Sequence, residues 1–135
     1  MLDTMLRATI IFSILVFGAV ALSAQDDLAQ FQPMMKAAIA AGGQMRAAFT
    51  ASDTAAAATA AKNEAAAFDQ MVAFWQAKHA DDAVKFAESA RDAAKAVAAA
   101  TSIADMQAAA RAINPNCGGC HAAHRSGMPG SFTIK

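Results

Sequence analysis

The chain has 135 residues, with 11 lysines and arginines balanced by 11 aspartates and glutamates. That length allows one domain of ordinary size, and the charge balance supplies no field to draw in nucleic acid or an anionic membrane surface. Prolines and glycines crowd toward the ends while the middle is alanine-rich, which predicts helix throughout and leaves no strand signal.

The opening MLDTMLRATIIFSILVFGAVALSAQDD places Arg7 before an apolar run from Ala8 to Leu22, then small residues up to Ala24 and the acidic pair Asp26 and Asp27. This is the layout of an export signal. The run is shorter than the ~20 apolar residues a membrane-spanning helix needs. Residues 1–24 therefore read as a signal peptide cleaved after Ala24, and residues 25–135 as one exported domain. An uncleaved anchor is the competing reading, because Asp3 weakens the basic start of the segment. Either way the remainder is expected in the periplasm, with no membrane association beyond the export segment.

In the first predicted helix, Leu28, Phe31, Met35, Ala38, Gly42, Met45 and Phe49 fall in a three-four alternation along one face, the pattern of a packing seam. Pro33 removes one backbone donor, so the regular helix is expected to start there after a frayed turn. TASDT ends it and offers Ser52 or Asp53 as the next N-cap. The second helix runs to about Lys78 with Ala61, Ala65, Phe68, Met71, Val72 and Trp75 inward. Asp81 or Asp82 is expected to cap the third, which turns Val84, Phe86, Ala90, Ala94 and Val97 inward and stops near Thr101. Ser102 followed by Asp105 resembles a capping box, and Met106, Ala110, Ile113 and Cys117 continue one face of a fourth helix. Residues 126–135, with Gly127, Pro129 and Gly130, form a non-helical tail. Four helices on short connections predict an all-α, antiparallel up-down-up-down four-helix bundle. Its alanine-rich seams bury little volume, so a cofactor is expected to fill the core.

The stretch NPNCGGCHAAHRSG holds both cysteines and two of the three histidines. Cys117-Gly118-Gly119-Cys120-His121 is the C-x-x-C-H pattern of c-type haem attachment: two thiols one helical turn apart match the two porphyrin vinyl groups, and the next residue offers an imidazole to iron. The two glycines would leave the backbone uncrowded beside the porphyrin. A zinc site from Cys117, Cys120, His121 and His124 is disfavoured, since residues 120 and 121 can hardly both reach one tetrahedral metal from a helix. A thiol-redox motif would require a thioredoxin-like strand pattern. Haem attachment occurs outside the cytoplasmic membrane, so export signal and motif support each other.

A C-x-x-C-H motif on the last helix of an exported four-helix bundle resembles the class II c-type cytochromes, the cytochrome c prime and cytochrome c-556 family. At residue level the resemblance rests on Cys117, Cys120, His121 and Arg125, the last matching an arginine common four residues after the family's ligand histidine. His124 stands where the family usually has an aromatic residue, and the connection between the second and third helices is shorter than the family's. The resemblance implies one covalent haem c, His121 as axial iron ligand, redox partner proteins and a homodimer through the first two helices.

Antiparallel geometry would bring the start of helix one, the end of helix two and the start of helix three to the motif's end of the bundle. Met35, on the inward seam, is the first candidate for sixth iron ligand. Met34, about 100° around the helix, is second, and His79 is third. Met45 is about 15 Å too far along the axis at ~1.5 Å per residue. Both Met34 and Met35 also suit a role as pliable core filler, which would leave the iron five-coordinate. Phe31, Trp75 and Phe86 are candidate haem contacts, and Arg125 either meets a haem propionate or faces water. The expected function is single-electron transfer, with no catalytic residue. The alternative is a five-coordinate binder of nitric oxide or carbon monoxide. A peroxide-reactive enzyme would need a histidine and arginine pair well placed on helix one, and none is seen there.

Overall fold

The computed structural model describes residues 2–135, with side chains from Asp26 onward. The side chains of residues 1–25, which include the expected export segment, and the expected cleavage after Ala24 lie outside the described residues. The chain is 80% helical, which makes it all-α. In order, the helices are α1 Leu2–Thr50, α2 Thr54–Ala77, α3 Asp81–Ala99, α4 Ile103–Ala110 and α5 Ile113–His124, followed by two-residue strands β1 Arg125–Ser126 and β2 Thr133–Ile134. Among the described residues, no helix is long and apolar enough to cross a membrane.

Local chemistry accounts for most element boundaries, and three expectations are corrected. Helix α1 runs straight through Pro33 rather than starting there. Proline removes one donor, which leaves the Ala29 carbonyl without its helical partner; both residues are exposed, so water can take that bond. Of the two expected N-cap candidates for α2, Asp53 is the cap, its carboxylate accepting from the Ala56 N–H at 2.9 Å. Ser52 instead takes the left-handed backbone (φ 56°) that turns the chain. Neither Asp81 nor Asp82 caps α3: the N-cap is Ala80, and the two aspartates occupy the first turn, where their charge suits the helix dipole. Finally, the expected fourth helix is two. Ser102 caps α4 as read, accepting from the Asp105 N–H at 3.1 Å, but the helix breaks at Arg111–Ala112 and restarts at Ile113. Pro115 is the physical reason. It cannot donate in a helix interior, and restarting at Ile113 places it in a first turn, where no donor is needed.

The helices pack on one another through small residues. Ala57, Ala61, Ala83, Ala94 and Val97 have no exposed surface, and α2 and α3 are pressed closely together along this seam. The inward face of α3 is Ala83, Ala87, Ala90, Ala94 and Val97, whereas the expected Val84 and Phe86 are half-buried on its flank. The middle of α1 lies beside late α2: Phe31 meets Trp75 at 5.1 Å between ring centroids, and Lys78 pairs with Asp27. Early α3 lies beside late α5, where Asp82 bonds His124 at 2.9 Å. Helices α1 and α5 pack on their own neighbours but scarcely on each other. The tail is non-helical, as read, and ordered: β1 and β2 form an antiparallel pair, turned by Gly127 (φ 93°) and Gly130 (φ 91°), with β2 against α1.

Candidate functional site

The gap between α1 and α5 is a slot. Its inner part, about 890 Å³ including the portion open to solvent, is lined by Phe31, Met35, Ala38, Ile39, Gly42 and Arg46 of α1, by Glu64, Phe68, Met71 and Trp75 of α2, by Phe86, Ala87 and Ala90 of α3, and by α5. Cys117, Cys120 and His121 belong to the α5 wall. An outer part continues past Phe31, Met35, Ile39, Trp75, Cys120 and His121 to the tail hairpin.

Of the residues singled out by sequence, Cys117, Cys120, His121, Met35, Phe31, Trp75 and Phe86 all reach this slot, and Arg125 lines its outer part. Met34 and His79 line neither part. His79 is exposed in a left-handed turn residue (φ 56°) just past the end of α2. Met45 is buried in the core, 4% exposed, away from the slot.

Both cysteines are free thiols, one turn apart on α5. Burial, then the neighbouring Cys117 and Asp82, pushes the Cys120 thiol up to about 11. Burial also raises that of Cys117, with Glu64 adding to the effect. The pair is therefore neutral at physiological pH and reacts poorly as thiolates. Burial, with Arg125 second, lowers the affinity of His121 for a proton. Its imidazole is thereby neutral near pH 7, the form that ligates metals. Among the described residues, no three His, Cys, Asp or Glu side chains gather to hold a bare metal ion.

The two glycines of the motif differ in their surroundings. A Cβ on Gly119 would lie 2.4 Å from Cε1 of Phe86, while one on Gly118 would meet nothing within 4 Å. Gly119 thus lets α3 approach α5, and Phe86 backs the turn between the two cysteines. The His124 ring lies 4.9 Å from that of Trp75 while its Nε2 meets Asp82, so it does the packing of an aromatic residue and ties α5 to α3. Trp75 also stacks edge-on with Phe31 and Phe74. The Arg125 guanidinium sits 4.3 Å from the centre of the Phe132 ring, a cation–π contact that pins the hairpin.

Two polar atoms of the slot were not foreseen as important. Glu64 is 6% exposed, and its Oε2 has no hydrogen-bond partner; neither has Trp75 Nε1. Buried orphan groups are costly and few in folded proteins. Burial raises the Glu64 carboxyl to about 7, against the opposing pull of Arg46. Glu64 lies in the alanine-rich stretch AAKNEAAAF, and only its place on the inward face, three residues after Ala61, distinguishes it in sequence from a solvated charge. An orphan donor and an orphan acceptor, two neutral thiols and a neutral imidazole along one apolar slot fit a large, flat, mostly apolar group carrying polar substituents. A porphyrin has that character.

Comparison with known proteins returns no matching family model, no curated relative and no solved structure. The fold and site define an all-helical protein with a thiol- and imidazole-lined slot between its first and last helices.

Proposed function

We propose that the protein is an exported, mono-haem c-type cytochrome that carries single electrons between redox partner proteins. The observation that carries this reading is the separation of α1 from α5, with Cys117, Cys120 and His121 on one wall of the gap and Met35 on the other. The reversed contacts between successive helices support an up-down-up-down four-helix bundle around it. Cys117 and Cys120 would hold the haem as thioethers and His121 would ligate its iron. Bound there, haem supplies reversible one-electron chemistry at iron. Met35, which lines both parts of the slot, is the sixth ligand in this reading.

The chain's own residues do the rest. Phe31, Phe68 and Trp75 wall the slot with apolar surface and exclude water, which keeps reorganisation small when charge changes. Asp82 and Trp75 hold His124, and with it the end of α5 on which His121 sits. Arg125, fixed on Phe132, keeps a positive charge at the outer rim, where an anionic substituent would meet it. Ile39, 64% exposed, leaves one edge of the slot close to solvent, where an electron can enter or leave.

The test is the absorption spectrum of protein matured with haem, ferric and ferrous, with and without carbon monoxide. A low-spin spectrum indifferent to the gas, made reactive by Met35→Ala, is expected. A high-spin spectrum that shifts at once on adding carbon monoxide would make Met35 pocket lining and the protein a gas binder. Absence of covalently attached haem after expression with the maturation machinery would refute the proposal.

A further inference from the structure

We propose that Glu64 is the proton-exchanging group of the slot, taking up a proton when the bound prosthetic group gains an electron and releasing it when the electron leaves. This rests on the haem reading above and goes beyond it, since a simple carrier needs no proton.

Glu64 is the one buried charged side chain among the described residues. Its Oε2 lacks a partner, and the carboxyl lines the slot rather than facing solvent. Gly42 makes its position tenable: a Cβ there would lie 3.1 Å from Glu64 Oε1, so a side chain at residue 42 would crowd the carboxyl. The Arg46 guanidinium approaches the same point at 3.6 Å, yet no ion pair joins it to Glu64. The surroundings are otherwise poor in charge. The titratable groups of α5 facing the same space are the thiols of Cys117 and, further along the slot, Cys120, with the His121 imidazole; the other polar side chains there are the uncharged amides of Asn114 and Asn116. The lining residues of α3 are Phe86, Ala87 and Ala90, and Arg91 and Lys95 turn instead to Asp69 on another face of α2.

A carboxyl so placed is poised between its two forms near pH 7. With few compensating charges nearby and a low dielectric, it must respond to any change of charge in the slot. Adding an electron makes the slot more negative and draws a proton onto Glu64. The step balances: one electron from the redox partner, or from dithionite in the laboratory, and one proton from solvent convert the oxidised protein with a Glu64 carboxylate into the reduced protein with a carboxylic acid. Oxidation returns both. Arg46, exposed and beside Gly42, marks the route by which the proton reaches water.

The experiment is a redox titration of the haem-loaded protein and of Glu64→Gln and Glu64→Asp at several pH values between 6 and 8. The midpoint potential of the natural protein should fall as pH rises, toward the limit of about 59 mV per tenfold change in proton concentration for one proton per electron. Glu64→Gln should flatten that slope, and Glu64→Asp should keep a slope, which guards against a merely structural effect of the amide. The infrared difference between reduced and oxidised protein should show a carboxylic acid C=O band that Glu64→Gln removes. Equal slopes in the natural protein and Glu64→Gln, or a difference spectrum without that band, would overturn the proposal while leaving the haem reading intact. A protein that attaches no haem fails earlier, in the absorption spectrum, and brings down the reading on which the proposal rests.

Discussion

Replacing Gly118 and Gly119 by alanine, one at a time, separates two explanations of the glycine pair between the cysteines. If both glycines serve only to keep the backbone clear of a cofactor, the two variants should behave alike. The structure says otherwise. Each substitution gains about 1 kcal/mol of helix propensity, and both residues lie within α5, so this gain cancels in the comparison. What remains is the contact of the new Cβ. At Gly118 it meets open space, whereas at Gly119 it would lie 2.4, 2.7 and 3.1 Å from three atoms of the Phe86 ring. A stiff aromatic ring wedged between α3 and α5 must withdraw by about 1 Å to restore an ordinary contact. Overpacking of this kind costs about 1–3 kcal/mol. Gly119→Ala should therefore be less stable than Gly118→Ala by about 1–3 kcal/mol, read from the midpoints of denaturant unfolding with unchanged slope. Pairing each with Phe86→Ala should remove most of the difference. Equal stabilities for the two single variants would refute the claim that Phe86 sets the α3–α5 approach.

Glu64 makes stability depend on pH. Its carboxyl is raised from 4.5 to about 7 in the folded protein, so the folded state holds the proton more tightly than the unfolded chain. The contribution is fully present below pH 4.5 and is lost as pH rises through 7, a change of about 3 kcal/mol. Unfolding midpoints of the natural protein minus those of Glu64→Gln should fall over that window, and a flat difference would count against the burial argument. A Cys117→Ser, Cys120→Ser form lacking attached haem should keep slow hydrogen exchange along the α2–α3 seam and exchange fast in α1 and α5, whose facing surfaces lack a partner; uniform protection across all helices would show that the slot closes on its own. Asp53→Ala should cost about 1 kcal/mol through loss of the bond to the Ala56 N–H, measured by thermal melting.

What the sequence by itself determined is local. Alanine propensity and three-four spacing made the chain helical, Ser102 marked the start of α4, and the C-x-x-C-H motif placed two thiols and an imidazole within one turn. That Phe31 and Trp75 would sit beside them followed from helix order and length alone. The break before Ile113 was also legible, in Pro115, once its missing donor is given its due weight. Other features depended on neighbours distant in sequence. Whether Phe86 faces the core or backs Gly119 depends on the rotation of α3 against α5, which alanine on both sides of α3 leaves open in sequence. Asp82 could cap α3 or reach another helix, and only the position of His124 decides between these. Glu64 sits among alanines that suit either face of a helix, so its burial emerges only when α1 closes over it through Gly42. Tertiary structure decided these because an alanine-rich helix carries a weak stripe. Its packing face is chosen by the few large or charged side chains of the helices around it.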